Sequence, residues 1–481
     1  MTLKSKALAL GLGVGLVFSG CDSIIDVDPR QSATPDDALS TLSGYQALIN
    51  GAYDALQDVN YYGNNYILYP DALADNIQAS PQTSNRLPNI VNNVAFSHLT
   101  RWAPHYTTIN DMNLVLSRIG AYTLDANESA AARDQATGEA YFFRALNYFD
   151  LARTKGYEPG REVDGFNLSA VIRLTPTLVD DDADFRKRST NTEVYEQVFS
   201  DLDKAETFFS AGGNKQFVTL AAIEALRARA NLYAGNWAEA EEAATAALAA
   251  SPARLVVAPT GAQLLAAWRA GTFAESIFEI QMTAAQDGAA TNVNQSLQSL
   301  TDPRVPNFFD AVATPSLVGA HEAGDARLGL YGNGRISNTP INFIQKYTGT
   351  TAIYVDRIPV FRVSEMLLIQ AEARAEQGNT SGALQALNTL RAARGLANIG
   401  DGAADDKSAS GIVSAVLRER RVELAFEGHR FFDLKRRGLN IPKPQNGTVS
   451  LPYTDYRILA PIPEDQVDLN PDLIQNPGYG N

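Results

Sequence analysis

The residue with the most specific chemistry in this chain of 481 residues is Cys21, its only cysteine. Lys4 and Lys6 precede an uncharged run over 7–20 that ends in Ser19-Gly20, small residues of the kind a signal peptidase cleaves after. A thiol at the first position after such a cut is the nucleophile to which a diacylglyceryl group is attached. The spacing therefore predicts a lipoprotein signal peptide over 1–20, lipidation of Cys21, and an anchor of several acyl chains, palmitate among them. Phe18 departs from the pattern, which usually carries Leu there. A lone thiol has no internal partner, so a disulfide framework is excluded, and the apolar run is shorter than the ~20 residues of a membrane span.

Other reactive groupings are sparse. The sequence holds no Gly-x-Ser-x-Gly elbow, no Walker loop and no His-Glu-x-x-His. The four histidines, His98, His105, His321 and His429, are never spaced i, i+4, so a histidine-based metal site is not expected. Asp180-Asp-Asp-Ala-Asp184 has carboxylates for calcium but lacks the glycine and ligand spacing of a calcium loop, and reads as a solvated acidic loop. Glu423 or Glu427 with His429 could form an acid–base pair. The same stretch, Arg418 to Gly438, also carries enough arginines to be knitted into the core by ion pairs, and that reading is preferred. No cofactor, metal or catalytic residue is assigned, although glycosidase carboxylates leave no local motif.

These groups need a scaffold. An apolar fraction of 45% and a charged fraction of 20% are those of a folded globular chain. A net charge of −14 argues against nucleic acid and anionic lipid as partners. Residues 21–36 read as an extended tether and 37–481 as the body. Helical periodicity marks 39–57, 103–120, 129–155, 192–210, 217–235, 237–250, 361–377, 380–394 and 409–437, the last burying Val413, Leu417, Leu424 and Phe431. The proline-punctuated 58–93 reads as loop, 252–360 as irregular, and the tail from Asn440 as irregular. Gly235, Ala240, Ala247 and Pro252 follow the spacing of a tetratricopeptide repeat, and Gly378 with Ala383 begins a second copy. The expected fold is mainly α: a tetratricopeptide-like scaffold of helical hairpins with an irregular, ligand-facing region.

Ordered segments along the chain carry a resemblance. Cys21 to Pro29 opens the mature protein. Trp102-x-x-x-Tyr106-x-x-Ile109-Asn110-x-x-Asn113, Arg144 to Arg153 and Arg362 to Glu372 follow. Glu423-Leu-Ala-Phe-Glu-Gly-His-Arg-Phe-Phe-Asp-Leu434, Pro461-Ile-Pro463 and Gln475-Asn-Pro-Gly-Tyr479 complete the set. Together they resemble the SusD/RagB-like nutrient-uptake lipoproteins of the outer membrane, over essentially the whole mature chain. The resemblance implies a non-enzymatic lipoprotein at the cell exterior. It would bind an oligosaccharide or glycan, or a peptide in some branches, and deliver it to a SusC-like TonB-dependent transporter.

Sugars are held by flat aromatic faces and by side chains that hydrogen-bond hydroxyls. The stretch richest in both is Tyr61, Tyr62, Tyr66, Asp71, Asp75 and Asn76, joined by Trp102. These are the expected ligand-binding residues, with Trp268 and Tyr331 as second-choice platforms. A surface glycoside hydrolase is the enzymatic alternative, and a scaffold binding only protein is the third reading.

Overall fold

Helix pairs form the scaffold, and their packing follows from where small and apolar residues recur. In the computed structural model the described residues are 35–480 except 83, 179–184, 285–294, 306–307, 401, 403–405 and 444–449. The signal over 1–20, Cys21, the tether up to residue 34 and the acidic run 180–184 lie outside them.

Helices of seven or more residues are α1 (Leu42–Gln57), α2 (Asn65–Leu73), α3 (Ala103–Arg118), α4 (Ala130–Lys155), α5 (Asn191–Glu206) and α6 (Leu220–Ala234). They continue with α7 (Trp237–Ala250), α8 (Gly261–Arg269), α9 (Val363–Glu376), α10 (Thr380–Ala393), α11 (Ala409–Glu423) and α12 (Arg430–Arg436). Thr219 caps α6 through its side chain, and Gly235, at φ 79°, ends it in the left-handed conformation that favours glycine. Ala240 and Ala247 then face α6 fully buried, so the two helices approach as the tetratricopeptide spacing predicts. Thr190 and Glu193 form a reciprocal capping box at the start of α5.

The layer runs α1 on α3, α3 on α4, α4 on α5, α5 on α6, α6 on α7 and α7 on α9, with α10 and α11 closing on α9. From Phe142 to Lys155, α4 is buried on every side, because the C-terminal segments cover the face its helical neighbours leave open. No helix among the described residues is long and apolar enough to cross a membrane.

The 252–360 region, expected to be irregular, contains α8 and most of the strands. Strands β1 (Ile77–Ala79), β2 (Ser276–Gln281), β3 (Ala311–Ala313), β4 (Tyr331–Ile336), β5 (Thr339–Ile344) and β6 (Arg357–Arg362) make an antiparallel sheet of order β1-β3-β5-β4 and a ribbon pairing β2 with β6. In the ribbon, Phe278 lies opposite Phe361 and Ile280 opposite Ile358. The sheet clamps segment 77–79 through the register Ile77 to Ala313.

Two expectations are corrected. Segment 58–93 is not all loop: α2 forms there with Pro70 inside it. Pro70 has no N–H for the Tyr66 carbonyl, and that carbonyl lies instead against Gly428, where a Cβ would collide with it. The same contact explains the second correction. The stretch 409–437 is not one helix but α11 and α12, parted at Phe426 (φ 65°) and Gly428 (φ 82°). The chain turns there to admit α2. Val413, Leu424 and Phe431 are buried as expected, Leu417 is only partly buried, and Gly438 (φ 66°) ends α12.

Candidate functional site

The 423–436 stretch is structural. Arg362, from the end of β6, donates to Glu423 Oε1 at 2.7 Å and to Glu275 Oε2 at 3.0 Å. Arg394 bridges the same two carboxylates, at 2.8 and 2.7 Å. Arg327 joins Asp325, Glu419 and Glu423; Arg391 joins Glu419; Lys346 pairs with Glu427. Each of these five cations and five carboxylates is at most 4% exposed at its side chain. Burial alone would raise the pKa of Glu423, but Arg394 and Arg362 overcome it and hold the carboxyl well below the usual range. His429 is buried and kept neutral by desolvation, with Arg229 and Arg420 adding to the effect. Carboxylates locked and sealed in this way have no route to a substrate proton, so Glu423, Glu427 and His429 are parts of the core.

Most of the expected sugar-binding residues are also interior. Tyr61 donates to Asp150 at 2.6 Å, Tyr66 bonds His105 Nε2 at 3.0 Å, and Arg153 donates to the Tyr62 hydroxyl at 3.3 Å. Tyr61 also packs edge-on against Tyr66 and His105, at 4.8 and 5.0 Å between centroids. Asp71 accepts from Asn76 Nδ2 at 2.7 Å and from the Phe426 N–H at 3.0 Å. Asp75 binds Arg421 at 2.9 Å and Arg430 at 2.7 Å, and the Asn76 side chain accepts from Arg421. Tyr61, Tyr62, Tyr66, Asp71, Asp75 and Asn76 are buried and spent on these partners, so none offers a face to a ligand. The expectation fails because segment 61–76, read as loop, packs inward through α2 and the turns on either side of it. Trp268 and Tyr331 are buried too; Trp268 stacks on Phe273 at 4.4 Å.

Trp102 is nearly as buried, at 4% exposure, but unlike the others it lines an open cleft. It opens α3 at the base of a cleft of about 620 Å³, a size suited to a small ligand. Tyr106 lies one turn on, its ring 5.0 Å from the indole, and its hydroxyl accepts from the Val171 N–H at 2.7 Å. Asn110 accepts from the Thr177 N–H at 2.7 Å and donates to the Thr177 carbonyl at 3.2 Å. Asn113 donates to the Arg173 carbonyl at 2.9 Å while Arg144 donates to it at 2.8 Å. The Trp-Tyr-Asn-Asn spacing thus holds the 171–177 segment in place as one wall. Phe185, Arg186 and the 466–473 segment form the other, joined by Asn470 donating to the Arg186 carbonyl at 3.1 Å. Asp111 faces the cleft, its pKa raised by burial. Leu174, Leu178, Phe185, Leu469 and Ile474 stand exposed on these segments. Sequence reading missed Asp111, Phe185 and Leu469; the available signal was large apolar side chains in polar, irregular segments.

Comparison with known proteins bears on both halves of this architecture. Residues 333–479 match the family model described as the SusD family, and residues 26–233 match one described as starch-binding, associating with the outer membrane. A SusD-like protein of Formosa agariphila is 25% identical over 96% of each chain. A solved SusD superfamily protein of Bacteroides vulgatus is 26% identical, with a TM-score of 0.77 over 92% of this chain and 100% of that one. Another, of Bacteroides thetaiotaomicron, shares the fold at a TM-score of 0.78 and 24% identity over 91% of this chain and all of that one.

Proposed function

The chain belongs to the SusD family, and from that membership we propose that it is an outer-membrane lipoprotein that captures a nutrient glycan and hands it to a SusC-like TonB-dependent transporter. Lipidated Cys21 is its anchor, and the body faces the cell exterior. The Trp102 cleft is the capture site. The observation that carries this assignment is an aromatic pair, Trp102 with Tyr106, that shares the cleft with Asp111 of the same helix and Arg173 of the 171–177 wall. A sugar ring can rest its apolar face on the aromatic edge while its hydroxyls meet the polar wall. Binding proceeds without turnover, and the protein needs no cofactor.

A second reading, a peptide ligand, is favoured by the exposed rim of Leu174, Leu178, Phe185 and Leu469, which would welcome apolar side chains. A combined glycan and peptide array, probed with the chain after Cys21, separates the two. Glycan spots that Trp102→Ala dims support the first reading, and peptide spots support the second. Release of shortened glycan from the intact protein would instead establish a hydrolase.

A further inference from the structure

A second concavity, of about 680 Å³, lies between α4 and α5 and shares no residue with the Trp102 cleft. Its aromatic surface comes from Tyr141 of α4, Phe199 of α5 and Phe208 just beyond α5, all partly exposed. The Tyr141 and Phe208 rings stack within 18° of parallel, with centroids 6.5 Å apart, and with Phe199 they give the concavity an apolar side. Glu196, Ser200, Asp203, Lys204 and Thr207 recur at three- and four-residue spacing, which places their polar groups along the same side of α5.

The hydrogen-bonding capacity of this groove is largely unspent. The Glu196 carboxylate, the Ser200 hydroxyl and the Tyr141 hydroxyl have no hydrogen-bond partner among the described residues. Asp203 shares Arg227 with Glu206 and Glu224. Lys204 reaches over the Tyr141 ring at 5.6 Å and partly offsets Glu196. On a chain of net charge −14, the groove thus keeps an excess of carboxylates, which disfavours anionic sugars. A single exposed aromatic needs no explanation. Grouped aromatic rings edged by idle donors and acceptors, in surroundings that repel anions, match the apolar face and outward hydroxyls of an uncharged pyranose.

We infer that the Tyr141–Phe208 groove is a second saccharide site, taking uncharged pyranose units of the same polymer that the Trp102 cleft takes. The inference rests on the glycan reading of the cleft. Two sites on one body raise affinity for a long chain that spans both, while a short fragment fills each site independently.

The test uses the chain after Cys21, with soluble starch and laminarin as neutral polymers, maltoheptaose and laminariheptaose as their fragments, and alginate as an anionic control. Calorimetry on the unsubstituted protein should give two equivalents of one neutral fragment. Tyr141→Ala/Phe208→Ala, melting as the parent does, should take one equivalent and lose roughly tenfold or more in affinity for the polymer. Glu196→Gln/Ser200→Ala, which keeps both rings, should lose several-fold. A folded Tyr141→Ala/Phe208→Ala variant with the parent's stoichiometry and polymer affinity overturns the inference. Binding of alginate alone, or of no glycan, overturns it as well. Loss in the groove variants with none in Trp102→Ala supports the groove and overturns the cleft.

Discussion

Arg362 meets Glu427 side-on in the protein interior, Nε donating to Oε2 at 2.6 Å and Nη2 to Oε1 at 3.0 Å. The paired geometry matters because the same guanidinium also serves Glu423 and Glu275. Two parallel bonds fix the plane of the guanidinium, and the plane in turn fixes where the other two carboxylates must lie.

Removing that cation should be costly. Arg362→Met leaves three buried carboxylates short of their partner, and breaking a buried pair from one side costs about 3–5 kcal/mol. Urea unfolding of the purified body measures it. A loss below about 1 kcal/mol, the value of an exposed pair, would mean that water reaches the lattice.

Tyr62 and Trp102 should part company. Tyr62→Ala removes a buried ring and should lower stability by about 3–5 kcal/mol, with the affinity of the folded fraction unchanged. Trp102→Ala also removes a buried ring and should cost comparable stability, but it should in addition weaken ligand binding by about 1–3 kcal/mol. Scanning calorimetry paired with titration calorimetry separates the two effects. A Tyr62→Ala protein that melts normally but binds weakly would return the site to the tyrosine run.

Asp71 gives stability a pH dependence of unusual sign. Burial, opposed by the Phe426 N–H and Asn76, pushes its carboxyl from 3.8 up to about 6, and Oδ2 has no partner among the described residues. Between those values the folded protein keeps the proton and the unfolded chain loses it, so this group's contribution falls as pH rises through the window. Asp71→Asn should therefore be more stable than the parent at neutral pH, by roughly 3 kcal/mol for a shift of about two units, and the gap should close near pH 4. Asp356, also raised to about 6 by burial, adds a slope of the same sign that the variant retains. Chemical denaturation at several pH values reads both, and equal stabilities at neutral pH would refute the Asp71 assignment.

Anchoring is testable apart from folding. Cys21→Ala should release the protein from the outer membrane with its melting temperature unchanged, because lipidation needs the thiol while the body begins farther along the chain. Membrane fractions from cells lacking the proposed transporter are the measurement. A substituted protein that stays in the membrane would rule out the lipid anchor.

The sequence was most legible where small residues set helix spacing. Residues 237–250 form α7 at the expected bounds, since Gly235 before it and Pro252 after it punctuate the chain and alanines line the contact. It was least legible where one segment's conformation depends on a distant one. Pro70 reads locally as a breaker, and Gly428 reads locally as one residue of a helix; only their meeting turns the first into a helix and the second into a turn. The candidate site suffered from the same dependence. Tyr61, Tyr62 and Tyr66 have the composition of a sugar platform, but Asp150, His105 and Arg153, 39 to 91 residues away, claim their hydroxyls. Trp102 could be found from its residue type, whereas Phe185 and Leu469, which wall the cleft, come from segments that are far apart in the chain.

The ion lattice also sets a schedule. Glu423 lies 61 residues beyond Arg362 and 29 beyond Arg394, while Glu275 lies 119 before Arg394. A chain emerging N-terminus first presents Arg362 and Arg394 before Glu423 and Glu427, the carboxylates that pair with them. Until then Arg362 and Arg394 share Glu275, and the spare positive charge opposes their burial. The interior can close only once the 419–427 segment, close to the end of the chain, has appeared.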